Sequence, residues 1–211
     1  MAFLPHDLIQ VKNVEKLSNF ESLPQWAQNS LQQAPFVVVR RGQQNNGLIP
    51  VGIRGCLKQQ RAASFVGVDL IETKTTPFEL VQTQKWLKVA ATRKELPVFQ
   101  ALREVFPILQ EYQWGIGGSC GYELVTGVPM VNLNSDLDII VKNFPVISLS
   151  EARDLLLKLN QFKVHIDMQV TNGQNGFSLE EYANDRSQTT LIKTVNGPEL
   201  TKNPWLAITQ K

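Results

Sequence analysis

The first third of the chain carries short apolar runs separated by turn-forming residues, and strand-like and helix-like periods alternate after it. Phe36-Val37-Val38-Val39-Arg40 is rich in β-branched residues and predicts a strand, with 48–54 as its partner. The intervening Gly-Gln-Gln-Asn-Asn-Gly (42–47) is turn-forming, so the pair predicts a hairpin. Residues 55–64 carry Lys58 and Arg61, and 66–71 reads as a further strand. Phe78, Val81, Trp86 and Val89 supply the apolar positions of a helix over 77–91. A second helix covers 98–108; Pro97 suits its start and Pro107 marks an end or kink.

In the second half, 114–117 reads as a strand end or turn and 119–125 as a short helix with Gly127 as its cap. A strand over 137–141 is followed by a helix over 150–159, with Ser150 as N-cap and Leu155, Leu156 and Leu159 as the apolar stripe. Then come a strand over 163–170, a helix start at 179–184 and a short strand or helix edge over 191–194. This order predicts an α+β protein: a C-terminal domain over 94–211, with a small mixed sheet and helices, preceded by a smaller α/β domain over 1–93.

Composition narrows the class. At 43% hydrophobic and 19% charged, the 211 residues are those of a globular protein, not a disordered one. No apolar run approaches the roughly 20 residues that span a bilayer. The N-terminus lacks a secretory pattern, so a cytoplasmic chain is expected, with Cys56 and Cys120 as reduced thiols. The net charge is +2, but 1–96 holds 12 Lys/Arg against 7 Asp/Glu, and 97–211 holds 9 against 12. Arg40, Arg41, Arg54, Lys58 and Arg61 are candidates for gripping phosphates or an acidic protein, against the competing reading of a solvated surface. The small net charge and the lack of aromatic–basic alternation argue against a nucleic-acid partner.

The candidate chemistry lies in the second half. Asp136 and Asp138 are spaced i, i+2, which puts both carboxylates on one face of a strand start. Close like charges are costly without a cation, and Mg²⁺ suits such a pair when substrate phosphates complete its shell. Alone, Asp-x-Asp is common, and a surface turn, Asn134-Ser135-Asp136, running into an edge strand is the favoured reading. Gly117-Gly118-Ser119 changes the balance: glycines at a helix start let backbone N–H groups approach a phosphate, and the serine hydroxyl adds a donor. A third carboxylate, Asp167, shares a strand face with His165 and Gln169. If its strand lies beside that of Asp136, Asp167 completes a triad for two Mg²⁺ ions and accepts the nucleophile's proton. An exposed strand residue is the plainer reading for Asp167, and more so for His165. Cys120 and the Pro204-Trp205 pair read as packing residues.

Gly-Gly-Ser-Cys-Gly-Tyr-Glu-Leu-Val-Thr-Gly (117–127), followed by Ser-Asp-Leu-Asp-Ile-Ile-Val (135–141), resembles the signature of polymerase-β-type nucleotidyltransferases. The inserted Gly-Tyr-Glu-Leu-x-Thr-Gly is narrower. It resembles the phosphoribosyl-dephospho-CoA transferase of bacterial malonate decarboxylase, also called malonate decarboxylase holo-acyl-carrier-protein synthase. His6-Asp7-Leu8, 34–41, 51–55, Asp167-Met168-Gln169, 176–182, Lys193-Thr194 and Gly197-Pro198 extend the similarity over nearly the whole chain. The resemblance implies transfer of a phosphoribosyl-dephospho-CoA group from its triphosphate precursor to a serine of the apo acyl carrier protein, with release of pyrophosphate. It places Asp136 and Asp138 on the metal-binding carboxylates and Gly118 and Ser119 on the phosphate turn. Lys193, Arg40 and Arg54 are further candidates for substrate phosphates. AMP transfer from ATP uses the same residues, and a catalytically inactive binding module shares the same fold. Asn203-Pro204-Trp205 stands where Asp-Pro-Trp is expected, so Asn203 is a poor candidate for an essential carboxylate.

Overall fold

The structure is a computed structural model, described for residues 2–184 and 188–209. The chain divides into two units, Met1–Thr76 and Pro77–Lys211.

In the N-terminal unit, β1 (Leu8–Val11), β2 (Phe36–Val39), β3 (Leu48–Arg54), β4 (Arg61–Gly67) and β5 (Ile71–Thr75) form one sheet in the order β4-β3-β2-β1-β5. Every pairing in it is antiparallel. The expected α/β character of this unit is therefore absent among the described residues, since no strand pair needs a helical crossover. The expected hairpin is present, with Val38 opposite Gly52. Its turn places Asn46 and Gly47 at φ 53° and 73°, a left-handed pair that asparagine and glycine tolerate best. Val37, Val39, Ile49, Val51, Ile53 and Val66 point inward against Ala27 and Leu31 of α1 (Gln25–Gln33). The strand expected at 66–71 lies elsewhere. β4 ends at Gly67, one 3-10 turn covers Val68–Leu70, and β5 begins at Ile71. Small Ala62 and Ser64 at inward positions conceal the alternation of β4.

The C-terminal unit holds β6 (Gln113–Ile116), β7 (Leu137–Lys142), β8 (Ile166–Asn172), β9 (Asn175–Ser178), β10 (Thr190–Thr194) and β11 (Gly197–Thr201), in the order β11-β10-β9-β8-β7-β6. Only β7–β8 is parallel among the described strands, so the sheet is mixed as expected. Leu137, Ile139 and Val141 of β7 and Ile166, Met168 and Val170 of β8 are buried together with Val98, Leu102 and Val105 of α4 (Pro97–Leu109). Each such side chain contributes roughly 1.5–3 kcal/mol of burial. The β7–β8 crossover contains α6 (Leu149–Leu159), whose N-cap is Ser148 rather than Ser150: Ser148 and Glu151 close a reciprocal capping box.

The helix expected over 77–91 is broken into α2 (Pro77–Gln82), a 3-10 turn (Lys85–Lys88) and α3 (Ala91–Lys94). Gln84 takes φ 45°, and Trp86 is buried 5.5 Å from Phe106 and 6.5 Å from Trp114, centroid to centroid. The units meet at Thr76/Pro77, earlier than the expected 93/94. The reason is a tertiary contact: Gly115 of β6 has no Cβ, and one built there would come within 2.6 Å of Pro77 Cβ, so α2 lies directly on β6. With this boundary the charge split shrinks, because 1–76 holds eight Lys/Arg against five Asp/Glu and 77–211 holds thirteen against fourteen.

Candidate functional site

Three segment ends converge at one edge of the mixed sheet. β6 runs antiparallel to β7, with Ile116 opposite Ile139, so the C-terminal end of β6 lies beside the start of β7. The start of β8 lies there too, because β7 and β8 are parallel. From the end of β6 the chain turns at Gly117, the N-cap of α5 (Gly118–Thr126). Ser119 is therefore inside the first helical turn, where it is buried, and not the cap.

The turn is built against Asp138. The Gly117 N–H donates to the Asp138 carbonyl at 2.9 Å. Gly118 sits at φ 57°, a left-handed conformation, and a Cβ there would overlap the Asp138 carboxylate at Oδ2. Only glycine satisfies both conditions. Gly121 fits closely as well: a Cβ would come within 2.5 Å of the Ile116 carbonyl oxygen. The glycines thus bring the α5 N-terminus onto the carboxylate strand.

Asp136 immediately precedes β7 and is half-buried, as is Asp138 within it. Asp167 is the direct partner of Asp138 in the parallel register, so the two stand side by side on the face opposite the core, about one strand spacing of ~4.8 Å apart. The same register continues the face through Ile140 opposite Gln169. Gln169 Nε2 donates to Asp167 Oδ2 at 3.3 Å. Among the described residues no three His, Cys, Asp or Glu side chains form a ready-made metal cage. The donor set nevertheless fits a hard cation with an incomplete protein shell: adjacent carboxylates repel without one, and Mg²⁺ takes its remaining ligands from water and phosphate.

The other expected residues fall elsewhere. His165 pairs with Glu180 of α7 (Leu179–Asn184) at 3.0 Å and is about half exposed. Lys193 lies on the Asp167 face, opposite Gly176, but two strands away and level with Thr171. That is four residues past Asp167, on the order of 13 Å along the strand. Arg40 and Arg54 belong to the N-terminal unit, where the Arg40 stem passes over Gly52 and Arg54 lies opposite Arg61. Asp7 of His6-Asp7-Leu8 is buried, accepts from Leu4 N at 3.0 Å and approaches Lys74 at 3.7 Å, which gives it a structural task.

Cys120 is fully buried, and burial, with Glu123 and Asp138 nearby, pushes its thiol well above the ordinary value. That is the opposite of a thiolate nucleophile. Asn203 accepts from Leu206 N at 3.1 Å as the N-cap of α8 (Pro204–Ala207), a task asparagine and aspartate perform equally well. Trp205 packs at 5.0 Å from Phe177 and 5.4 Å from Tyr182.

Glu123 is the important residue that the sequence reading leaves without a role. It is buried in α5 and receives Arg93 Nε and Nη2 at 2.7 Å each. Its Oε2 also accepts from Met130 N at 2.7 Å and Val131 N at 2.8 Å, while Arg93 donates to the Val131 carbonyl at 2.7 Å. Burial pushes the Glu123 carboxyl up, but Arg93 and the two amides outweigh it and hold it below its ordinary value. Glu123 thereby ties the segment leading to Asp136 onto α5. The available signal was an acid inside an otherwise uncharged nine-residue helix.

Two family models cover the chain: the phosphoribosyl-dephospho-CoA transferase MdcG N-terminal domain over residues 4–77 and its C-terminal domain over 79–204. The chain is 34% identical over 204 residues to a phosphoribosyl-dephospho-CoA transferase of Pseudomonas fluorescens (strain Pf0-1), covering 96% of this chain and 94% of the relative. It is 33% identical over 207 residues to one of Pseudomonas syringae pv. tomato, covering 96% and 93%. It is 32% identical over 202 residues to one of Klebsiella pneumoniae (strain 342), covering 95% of each. No solved structure matches the chain. No helix among the described residues is long and apolar enough to cross a membrane.

Proposed function

Since the chain belongs to the phosphoribosyl-dephospho-CoA transferase family, we propose that it is a nucleotidyltransferase of the polymerase-β type that loads an acyl carrier protein. The donor is 2′-(5″-triphosphoribosyl)-3′-dephospho-CoA, and the acceptor is a serine of the apo carrier subunit of malonate decarboxylase in the cytoplasm. The serine oxygen forms a bond to the α-phosphorus as the bond to the pyrophosphate oxygen breaks. The serine proton passes to Asp167, and the phosphoribosyl-dephospho-CoA group stays on the carrier through a phosphodiester.

The observation that carries this reading is the side-by-side placement of Asp138 and Asp167 next to the glycine turn that admits the α5 N-terminus. Asp136, Asp138 and Asp167 would hold two Mg²⁺ ions, which would supply charge neutralisation of the triphosphate. The backbone N–H groups at Gly118 and Ser119 orient phosphate oxygens. Lys193, further along the same face, suits a distant part of so long a donor. Arg40 and Arg54 dock the carrier or the CoA phosphate, and their reversal to Glu is expected to raise a substrate KM about tenfold.

The test is incubation with the triphosphate donor, Mg²⁺ and apo carrier, with ATP as the control donor. Mass spectrometry is expected to show the carrier gaining the prosthetic group while pyrophosphate accumulates. Labelling from ATP but not from the triphosphoribosyl donor would replace this reading with AMP transfer.

A further inference from the structure

Gln169 lies two residues beyond Asp167 on the same face of β8 and is only 8% exposed. Its Nε2 donates to Asp167 Oδ2 at 3.3 Å. That contact settles which way the amide is turned, because an ionised carboxylate only accepts and the NH₂ end must face it. Oε1 is left buried and accepts no hydrogen bond from any described residue. Its cross-strand neighbours are Ile140 on β7, which has no side-chain donor to offer, and Ser178 on β9, whose hydroxyl makes no hydrogen bond to it. A buried acceptor without a partner destabilises a fold, and an apolar side chain of similar length would avoid that cost. Fold stability alone therefore does not account for glutamine at this position. Such local conflicts collect where function sets the residue.

We infer that Gln169 is a positioning residue whose two ends serve different partners. The N–H end holds Asp167 in register with Asp138. The Oε1 end receives an O–H donor that arrives only with ligand: a ribose hydroxyl of the phosphoribosyl donor, or a water carried by the cation. The inference deepens the function proposed above and rests on it for the identity of the ligand.

The experiment uses the full chain and Gln169→Leu, with Gln169→Met as a second apolar variant should the first aggregate. Melting temperature is measured without ligand, with MgCl₂ alone, with the triphosphoribosyl donor in EDTA, and with both. Without ligand, the apolar variant is expected to melt at or above the wild-type temperature. The ligand-induced shift should fall to half or less, and kcat at saturating donor should fall at least tenfold. A lost shift in the donor–EDTA arm identifies the ribose hydroxyl; one lost in the MgCl₂ arm identifies the cation's water. Ligand shifts equal to wild type in every arm overturn the inference, whatever the ligand-free value. A wild-type chain that responds to neither ligand overturns the donor reading instead. The ligand-free arm then decides for Gln169: a variant that melts several degrees lower makes it a packing residue.

Discussion

The two sheets of this chain share the same alternation of inward apolar and outward polar residues, yet only one collects chemistry at an edge. In the N-terminal sheet every neighbour runs antiparallel, so the starts of adjacent strands lie at opposite edges. In the C-terminal sheet β7 and β8 are parallel, and both begin at the same edge. Asp138 and Asp167 each stand at the second position of their strands and so become neighbours, although 28 residues separate them in sequence. The antiparallel β6 then delivers the α5 N-terminus to that same edge. A single parallel pairing converts three distant segments into one site, and the antiparallel sheet has no equivalent.

The contrast predicts where substitutions act. The largest effect is expected for Asp138→Asn, with transfer falling on the order of 10³-fold or more. The fold should persist, because Gly117 is held by the Asp138 backbone carbonyl and not by its side chain. Single-turnover assays beside circular dichroism measure both; retained transfer would detach the chemistry from the parallel pair.

Next comes Glu123→Gln, which leaves Arg93 without its charge partner in a buried site. A loss of about 3–5 kcal/mol is expected at neutral pH by urea unfolding. The Glu123 carboxyl is depressed in the fold, so its contribution is present above the unfolded value of 4.5 and is lost as pH falls through the lower folded value. The difference between variant and wild type should therefore narrow below pH 4.5 and stay constant above it. A gap that instead widened in acid would contradict the assigned ion pair.

Gly118→Ala follows, at about 1–3 kcal/mol of stability from the left-handed backbone, together with a larger loss of transfer from the collision with Asp138. The smallest effect is expected for Asn203→Asp, within about 0.5 kcal/mol and without change in transfer, since both residues cap α8. A gain of tenfold or more in transfer would mean that a carboxylate is wanted at 203 after all.

Legibility followed the strength of local signals. The β-branched run at 36–39 and the turn at 42–47 disclosed the first hairpin, and Gly127 disclosed the end of α5. β4 stayed hidden because Ala62 and Ser64 are too small to mark an inward face. The helix over 77–91 had the right apolar spacing, but the burial of Trp86 with Phe106 and Trp114 broke it, a tertiary preference that no local pattern carries. The domain boundary moved for a related reason, because α2 lies on Gly115, nearly forty residues later in sequence. Asp136 and Asp138 could be paired from spacing alone. The place of Asp167 depended on strand register, which is a long-range property. The tasks of Glu123 and Gln169 lie in hydrogen bonds to backbone and side chains that spacing does not encode.

The two thiols give the molecule a built-in reporter. Cys56 is exposed in the N-terminal unit, whereas Cys120 is enclosed in the first turns of α5, after the glycine turn. A maleimide dye added to the folded chain should therefore mark one position without any engineered background. The slow arrival of a second adduct would then time each spontaneous opening of the C-terminal unit, and a bound donor should lengthen that interval.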